Sequence, residues 1–311
     1  MTRAVIATRG LTCRFGRNEV LRGVDLEVPE GSVTALLGRN GEGKSTLLRI
    51  LIGFLPPDAG DARVLDLDPR RRGAELRARV GYVPERLELP PWMTIADHLR
   101  FLRPFYPTWN DAEVARLIDR LGLDPTARIR DLSKGFRTKH LLLCALAHEP
   151  RLLLLDEPFS GLDPVLRGDV MGAVLDHLRE DGRTVLLVSH SLVDVERVAD
   201  RVALLDQARI AFHDDLETVR AHCARVAVTL APGTDDWTPP GSPMVERDGS
   251  DVLLTYLDWC PALADRLAAD AAVLDSRPLP RDLRDVFVAR TDERRSVTVA
   301  GEEAPCATPT S

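Results

Sequence analysis

Lysine is almost missing from this chain. Of 311 residues, 41 are lysine or arginine, and only Lys44, Lys134 and Lys139 are lysines. In so arginine-biased a background, each surviving lysine is a position to examine. Positive charge is also short. The formal net charge of -7 at pH 7 lacks the basic bias of a nucleic-acid-binding protein, so no nucleic-acid partner is expected. Long apolar runs are absent too. The longest, Leu141 to Ala147, falls far short of the ~18 residues that span a bilayer. Any work at a membrane is therefore expected from outside it. The five cysteines (Cys13, Cys144, Cys223, Cys260 and Cys306) are odd in number and show no CxxC or Cys/His zinc spacing. Reduced thiols are the expectation. Arg3 and Arg9 interrupt the first apolar stretch, so no secretory signal is expected there. The run Arg70-Arg71-Arg72 reads as solvated surface.

What is present is a globular balance, 44% hydrophobic and 29% charged. The length allows one large domain with an addition, or two domains. Residues 1–216 alternate strand and helix patterns. Ser32 to Leu37 is an apolar strand that runs into a glycine loop, and Ser45 to Gly53 an apolar helix. Leu152 to Leu155, Thr184 to Val188 and Arg201 to Leu205 read as strands buried on both faces, the mark of a parallel sheet covered by helices. Residues 90–147 open with Pro90-Pro91 and turn helical, with a break at residues 122–125. They read as a helical insertion. Residues 217–291 read as a small α+β unit: a strand from Arg225 to Leu230, a hairpin from Val245 to Tyr256 turning at Asp248-Gly249, and a helix from Pro261 to Ala272. Residues 292–311, poor in apolar content, are expected to be a disordered tail.

The strongest local signal is Gly38-Arg39-Asn40-Gly41-Glu42-Gly43-Lys44-Ser45, followed by Thr46. It fits G-x-x-x-x-G-K-[ST]. A triphosphate must be wrapped by backbone N–H groups, which requires glycines that turn tightly and leave room. The helix that follows adds partial positive charge at its N-terminus. Lys44 is expected to reach the β- and γ-phosphates, and the Ser45 hydroxyl to ligate Mg²⁺. The context agrees, because the loop follows an apolar strand and opens a helix. A second signature is Leu152-Leu153-Leu154-Leu155-Asp156-Glu157. An acid at the carboxyl end of a parallel strand faces the same sheet edge as the glycine loop. Asp156 is placed to hold Mg²⁺, and Glu157 to polarise an attacking water.

These residues resemble the ABC ATPase family, and further motifs match it in order. Leu132-Ser133-Lys134-Gly135-Phe136 resembles the signature motif, usually LSGGQ. Ser160-Gly161-Leu162-Asp163 resembles the D-loop, and His190 the switch histidine. Glu85 stands where the Q-loop ends in glutamine, and Phe15 where an aromatic stacks on adenine. The resemblance covers residues 1–216. It implies a P-loop NTPase fold binding ATP and Mg²⁺, with Ser45, Glu85 and Asp156 toward the metal. It implies a dimer, most simply a homodimer. In it Ser133 and Gly135 contact the γ-phosphate across the interface, Asp163 links the two sites and His190 acts beside Glu157. It also implies a separate membrane permease, hence a place at the cytoplasmic face of the membrane.

Glu85, Lys134 and Phe136 depart from the common pattern in ways that resemble exporters of the ABC-2 type. A soluble ABC ATPase of translation or DNA repair is the alternative. It fits less well, because such proteins usually carry two cassettes or a long coiled coil, and this chain has one glycine loop and no sustained heptads. Trp92, Phe101, Phe105, Tyr106 and Trp109 crowd into eighteen residues. They read as the core of the helical insertion, as a docking groove for a permease helix, or as both. Leu283 to Phe287 resembles the C-terminal segment of the same exporter group.

Overall fold

The computed structural model describes residues 3–86, 88–178, 183–234, 236–279, 283–284 and 286–287. The chain divides into two compact units, Met1–His213 and Asp214–Ser311. In chain order the first holds β1 (Ala4–Phe15), β2 (Asn18–Pro29), β3 (Val33–Leu37), α1 (Lys44–Leu51), β4 (Ala59–Val64), α2 (Pro69–Arg77), β5 (Val80–Val83), α3 (Ile95–Leu102), α4 (Asp111–Leu121), α5 (Lys134–Leu146), β6 (Leu152–Asp156), α6 (Pro164–Leu178), β7 (Thr184–Val188), α7 (Leu192–Val198), β8 (Arg201–Asp206) and β9 (Arg209–Asp215), the last running to the boundary.

Six strands form one sheet in the order β5-β6-β7-β3-β8-β9. The pairs β5–β6, β6–β7, β3–β7 and β3–β8 are parallel. Every residue of β3, β6 and β7 is buried, as uninterrupted apolar runs require. The pleat sends alternate residues to opposite faces. Leu152 and Leu154 join one core cluster with Leu47 and Leu48 of α1, while Leu153 and Leu155 join another with Leu142, Leu143 and Leu146 of α5 and Val170 and Val174 of α6. Each fully buried leucine contributes about 1.5–3 kcal/mol, so the sheet is anchored from both sides.

A second sheet, order β2-β1-β4, is antiparallel and covers the α1 side. The sequence reading did not anticipate it. Register shifts recur along β1 and β2 and break the period-two alternation that marks a strand.

Residues 90–147 carry α3, α4 and α5. A capping box starts α3, with Thr94 and Asp97 bonding each other's backbone N–H. Gly122 ends α4 in the left-handed region at φ 61°, the expected break. The aromatic cluster divides. Trp92, Phe101 and Phe105 are 70%, 53% and 62% exposed, Trp109 packs on the core of this region, and Tyr106 stacks on His148 with centroids 4.2 Å apart.

The second unit holds α8 (Leu216–His222), β10 (Ala224–Leu230), β11 (Met244–Asp248), β12 (Asp251–Tyr256), α9 (Pro261–Ala269) and β13 (Val273–Leu279). Its strands form an antiparallel sheet, β11-β12-β10-β13. Val226, Val228, Leu254 and Tyr256 pack on Leu263 and Leu267 of α9. The expected hairpin is present, with Gly249-Ser250 between its strands. The helix stops at Ala269, three residues short of the expectation, and β13 was not foreseen. The expected tail, 292–311, lies outside the described residues, as does Asp285; Leu283 and Val286 are buried. Cys13, Cys144 and Cys223 are free thiols, as expected; Cys306 lies outside the described residues. Among the described residues no helix is long and apolar enough to cross a membrane.

Candidate functional site

The carboxyl ends of β3 and β6 set the site. β3 runs into Gly38, and the chain re-enters helix at Lys44. Two glycines here cannot be replaced. A Cβ on Gly38 would lie 2.5 Å from the Leu205 carbonyl oxygen, and one on Gly43 2.5 Å from that of Val20, with Gly43 at φ 99°. Lys44 folds back over the loop. Its Nζ donates to the carbonyls of Gly38 and Arg39, each at 2.8 Å. Lys44 is only 6% exposed. Burial pulls its pKa down, and the negative charge of Glu157, Asp156, Glu42 and Glu85 pulls the other way. Glu42 Oε2 also accepts from the Ala208 N–H at 3.3 Å.

β6 delivers the acids. Asp156, its last residue, is buried, and its Oδ1 has no hydrogen-bond partner. Burial raises its pKa. The Ser45 hydroxyl opposes that rise, and Glu85 adds to it. Glu157 sits at φ 52°, strained for a side chain of this type, and its N–H donates to the Val188 carbonyl at 3.0 Å. That turn aims the carboxylate into the cleft. Oε2 meets His190 Nδ1 at 2.7 Å, while Oε1 is buried without a partner. Burial raises the Glu157 pKa, with His190 and Lys44 opposing.

These groups line one cleft of about 470 Å³: Asn40, Gly41, Gly43, Lys44, Ser45 and Thr46 from the loop, then Glu85, Asp156, Glu157 and His190, with Val20 and Ser160. The sequence reading missed Val20 and named Ser160 only as the start of the D-loop resemblance, not as cleft lining. Ser160 follows Glu157 by three residues and could have been inferred from the turn. Val20 comes from β2 of the unforeseen sheet and left no signal. Gly38, Arg39 and Glu42 shape the loop without lining the cleft. Phe15, at the end of β1, is 52% exposed.

Ser133, Gly135 and Asp163 lie outside the cleft's lining. Ser133 caps α5, its Oγ accepting from the Phe136 N–H at 3.3 Å. Gly135 is buried, and a Cβ there would collide with Leu166 of α6. Asp163 Oδ1 accepts from the N–H groups of Val165 and Leu166 at 2.9 and 3.0 Å, so it starts α6. Lys134 lies against Gly161, its Nζ 2.6 Å from where a Cβ would stand. The Phe136 ring faces the Lys139 ammonium, 5.0 Å from its centroid.

Comparison with known proteins agrees with this arrangement. The family described as ABC transporter matches residues 21–160. The Nod factor export ATP-binding protein I of Cupriavidus metallidurans is 32% identical, over 93% of this chain and 97% of its own. The aliphatic sulfonates import ATP-binding protein SsuB of Pseudomonas putida is 36% identical, over 69% of this chain and 78% of its own. Among solved structures, an ATP-binding subunit of an ABC transporter superposes with a TM-score of 0.64 at 28% identity, covering 70% of this chain and 92% of that one. Likeness at this identity and coverage, carried by a chain whose phosphate loop and acid pair meet in one cleft, settles the family: the chain belongs to the ABC transporters and is an ATP-binding, ATP-hydrolysing subunit of that class.

Proposed function

We propose that this chain powers an exporter of the ABC-2 type, working as a homodimer beneath a separate transmembrane permease. The observation that carries the exporter reading is coverage. The export relative matches 93% of the chain, which reaches well into the second unit. The import relative matches 69%, about the size of the first unit alone. The Glu85, Lys134 and Phe136 variants point the same way. The exposed trio Trp92, Phe101 and Phe105 is suited to receive a permease helix.

The cleft's unfinished bonding supports the chemistry. Oδ1 of Asp156 is a buried oxygen without a partner, and with the Ser45 hydroxyl and Glu85 beside it in the cleft it makes an oxygen donor set that fits a hard cation. Ser45, Asp156 and Glu85 would hold Mg²⁺, which when bound neutralises charge on the β- and γ-phosphates. The Lys44 amine would exchange its two carbonyl acceptors for phosphate oxygens. His190 holds one oxygen of Glu157, which leaves Oε1 to take a proton from the attacking water. Phe15 would stack on adenine. Ser133 and Gly135, at the N-terminus of a thirteen-residue helix, would meet the γ-phosphate of the other subunit's ATP. Asp163 spends Oδ1 on its own helix, so Oδ2 is the oxygen available to a partner. The Lys134–Gly161 contact ties the signature helix to that D-loop within one subunit.

Glu157→Gln tests the chemistry. ATP should still bind, hydrolysis should fall at least roughly 100-fold, and an ATP-held dimer should accumulate on size-exclusion chromatography. Undiminished hydrolysis rejects Glu157 as the base. The partner is tested by purifying the tagged chain from native membranes. A polytopic protein should accompany it; ribosomes or DNA in its place overturn the transport reading.

A further inference from the structure

Among the described residues, one group of three nitrogen and sulfur donors lies outside the nucleotide cleft. His98 on α3 faces His140 and Cys144 on α5. The i, i+4 spacing places His140 and Cys144 on one side of α5, and that side packs on α3. His98 Nδ1 is 2.8 Å from His140 Nε2, and Cys144 Sγ is 3.8 Å from each of these nitrogens. Both imidazoles are buried, His140 completely. The surroundings are apolar, with Leu99, Leu142 and Leu143 in the same core cluster. Nothing in ATP binding or hydrolysis uses these groups.

We propose that His98, His140 and Cys144 form a three-ligand site for one borderline-soft divalent cation of the zinc class, which clips α3 to α5. The donor set selects the ion. Imidazole and thiolate suit zinc and its late first-row neighbours, whereas magnesium and calcium take oxygen ligands. The size fits as well. An ion ~2.0–2.1 Å from nitrogen and ~2.3 Å from sulfur is compatible with nitrogen–sulfur separations of 3.8 Å. The two nitrogens need only draw apart slightly to accept it.

Ligation requires a balanced shift of protons. One of the two facing nitrogens carries the hydrogen of the 2.8 Å contact; on binding, that ring keeps its proton on its other nitrogen, so that both facing nitrogens offer lone pairs. The Cys144 S–H bond breaks, a sulfur–metal bond forms and the proton passes to solvent. The clip joins the helix that opens with Ser133 and Lys134 to the helix that follows the exposed Trp92. It would stiffen the insertion between the signature residues and the aromatic surface.

The competing account is a bare hydrogen bond between the two imidazoles, for which 2.8 Å is also an ordinary length. The full chain, reduced and stripped with chelator, is titrated with Co²⁺ in the absence of oxygen and nucleotide. One equivalent should bind with a near-ultraviolet thiolate-to-cobalt charge-transfer band, which one equivalent of Zn²⁺ should bleach. Cys144→Ser should lose the band, whereas Cys13→Ser and Cys223→Ser should keep it. Zn²⁺ should raise the melting temperature of the unaltered chain and leave that of Cys144→Ser unmoved. A missing band, or one unchanged in Cys144→Ser, overturns the site. X-ray absorption of the zinc-loaded unaltered chain needs no variant. One sulfur and two imidazole nitrogens support the site, and a sulfur-free shell rejects it.

Discussion

Lys44 and Lys139 are both buried lysines of the first unit, 6% and 4% exposed, and they are bonded in opposite ways. Lys139 is saturated. Its Nζ donates to Asp169 Oδ2 at 2.7 Å and to the Leu121 carbonyl at 2.9 Å, and the ammonium faces the Phe136 ring. It ties α5 to α6 and to the end of α4. Lys44 has two backbone carbonyls and no carboxylate within hydrogen-bonding distance, and it looks into a cleft where Asp156 and Glu157 each keep a bare buried oxygen. A charge buried for structure is paired on the spot, because an unpaired one is costly. A charge buried for chemistry is left short, and the ligand completes it. The difference in bonding separates the two lysines where burial does not.

The largest expected effect breaks the functional side. Lys44→Ala should lower ATP hydrolysis by at least about 100-fold, the scale of losing one preorganised charge at the reacting phosphate. It should lower the melting temperature of the nucleotide-free chain less than Lys139→Met does, because the two carbonyls it leaves without a donor carry no charge, whereas Asp169 does. Lys139→Met should do the reverse. Asp169, about one third exposed, and the Leu121 carbonyl lose their partner. Urea unfolding should show a loss of about 1–3 kcal/mol, with ATP affinity nearly unchanged. Replacing Asp169 by Leu in the same chain should recover most of the loss. Equal effects of Lys44→Ala and Lys139→Met on stability would erase the distinction.

The smallest effect concerns the acids. Burial raises the folded-state pKa of Asp156 and Glu157, so the folded chain takes up these protons more readily than the unfolded one. Their ionisation therefore destabilises the nucleotide-free fold. This cost is absent below the ordinary carboxylate pKa and fully present once pH exceeds the raised value. Glu157→Gln should thus raise the nucleotide-free melting temperature at neutral pH by about 2–4 °C. The gain should shrink as the solution is acidified through the carboxylate range. A gain that does not vary with pH would have to come from packing.

Much of this cleft was legible in the sequence because its motifs are contiguous. The turn from β3 into α1 forces glycine at Gly38 and Gly43, and a strand buried on both faces reads as four leucines ending in Asp156. What was not legible depends on register and long-range packing. β1 and β2 hide behind bulges, so Val20 went unnoticed as cleft lining. The cysteine spacing gave no zinc pattern, because His98 reaches His140 and Cys144 only when α3 packs on α5. Phe136 read as a lost glutamine, yet its ring sits beside the Lys139 ammonium. The aromatic cluster could not be divided into Trp109, packed on the core, and Trp92, open to solvent, from spacing alone.

The amino-acid sequence alone determined the phosphate loop, the acid pair, the order of the remaining motifs and the sequence of strands and helices, since each rests on residues within about one turn or one strand of one another. The tertiary structure alone decided which oxygen of Glu157 is held by His190 and which is bare, which lysine is satisfied and which is left wanting, and that three donors from two helices converge. Those are contacts between residues far apart in the chain, and only packing decides how closely such residues approach.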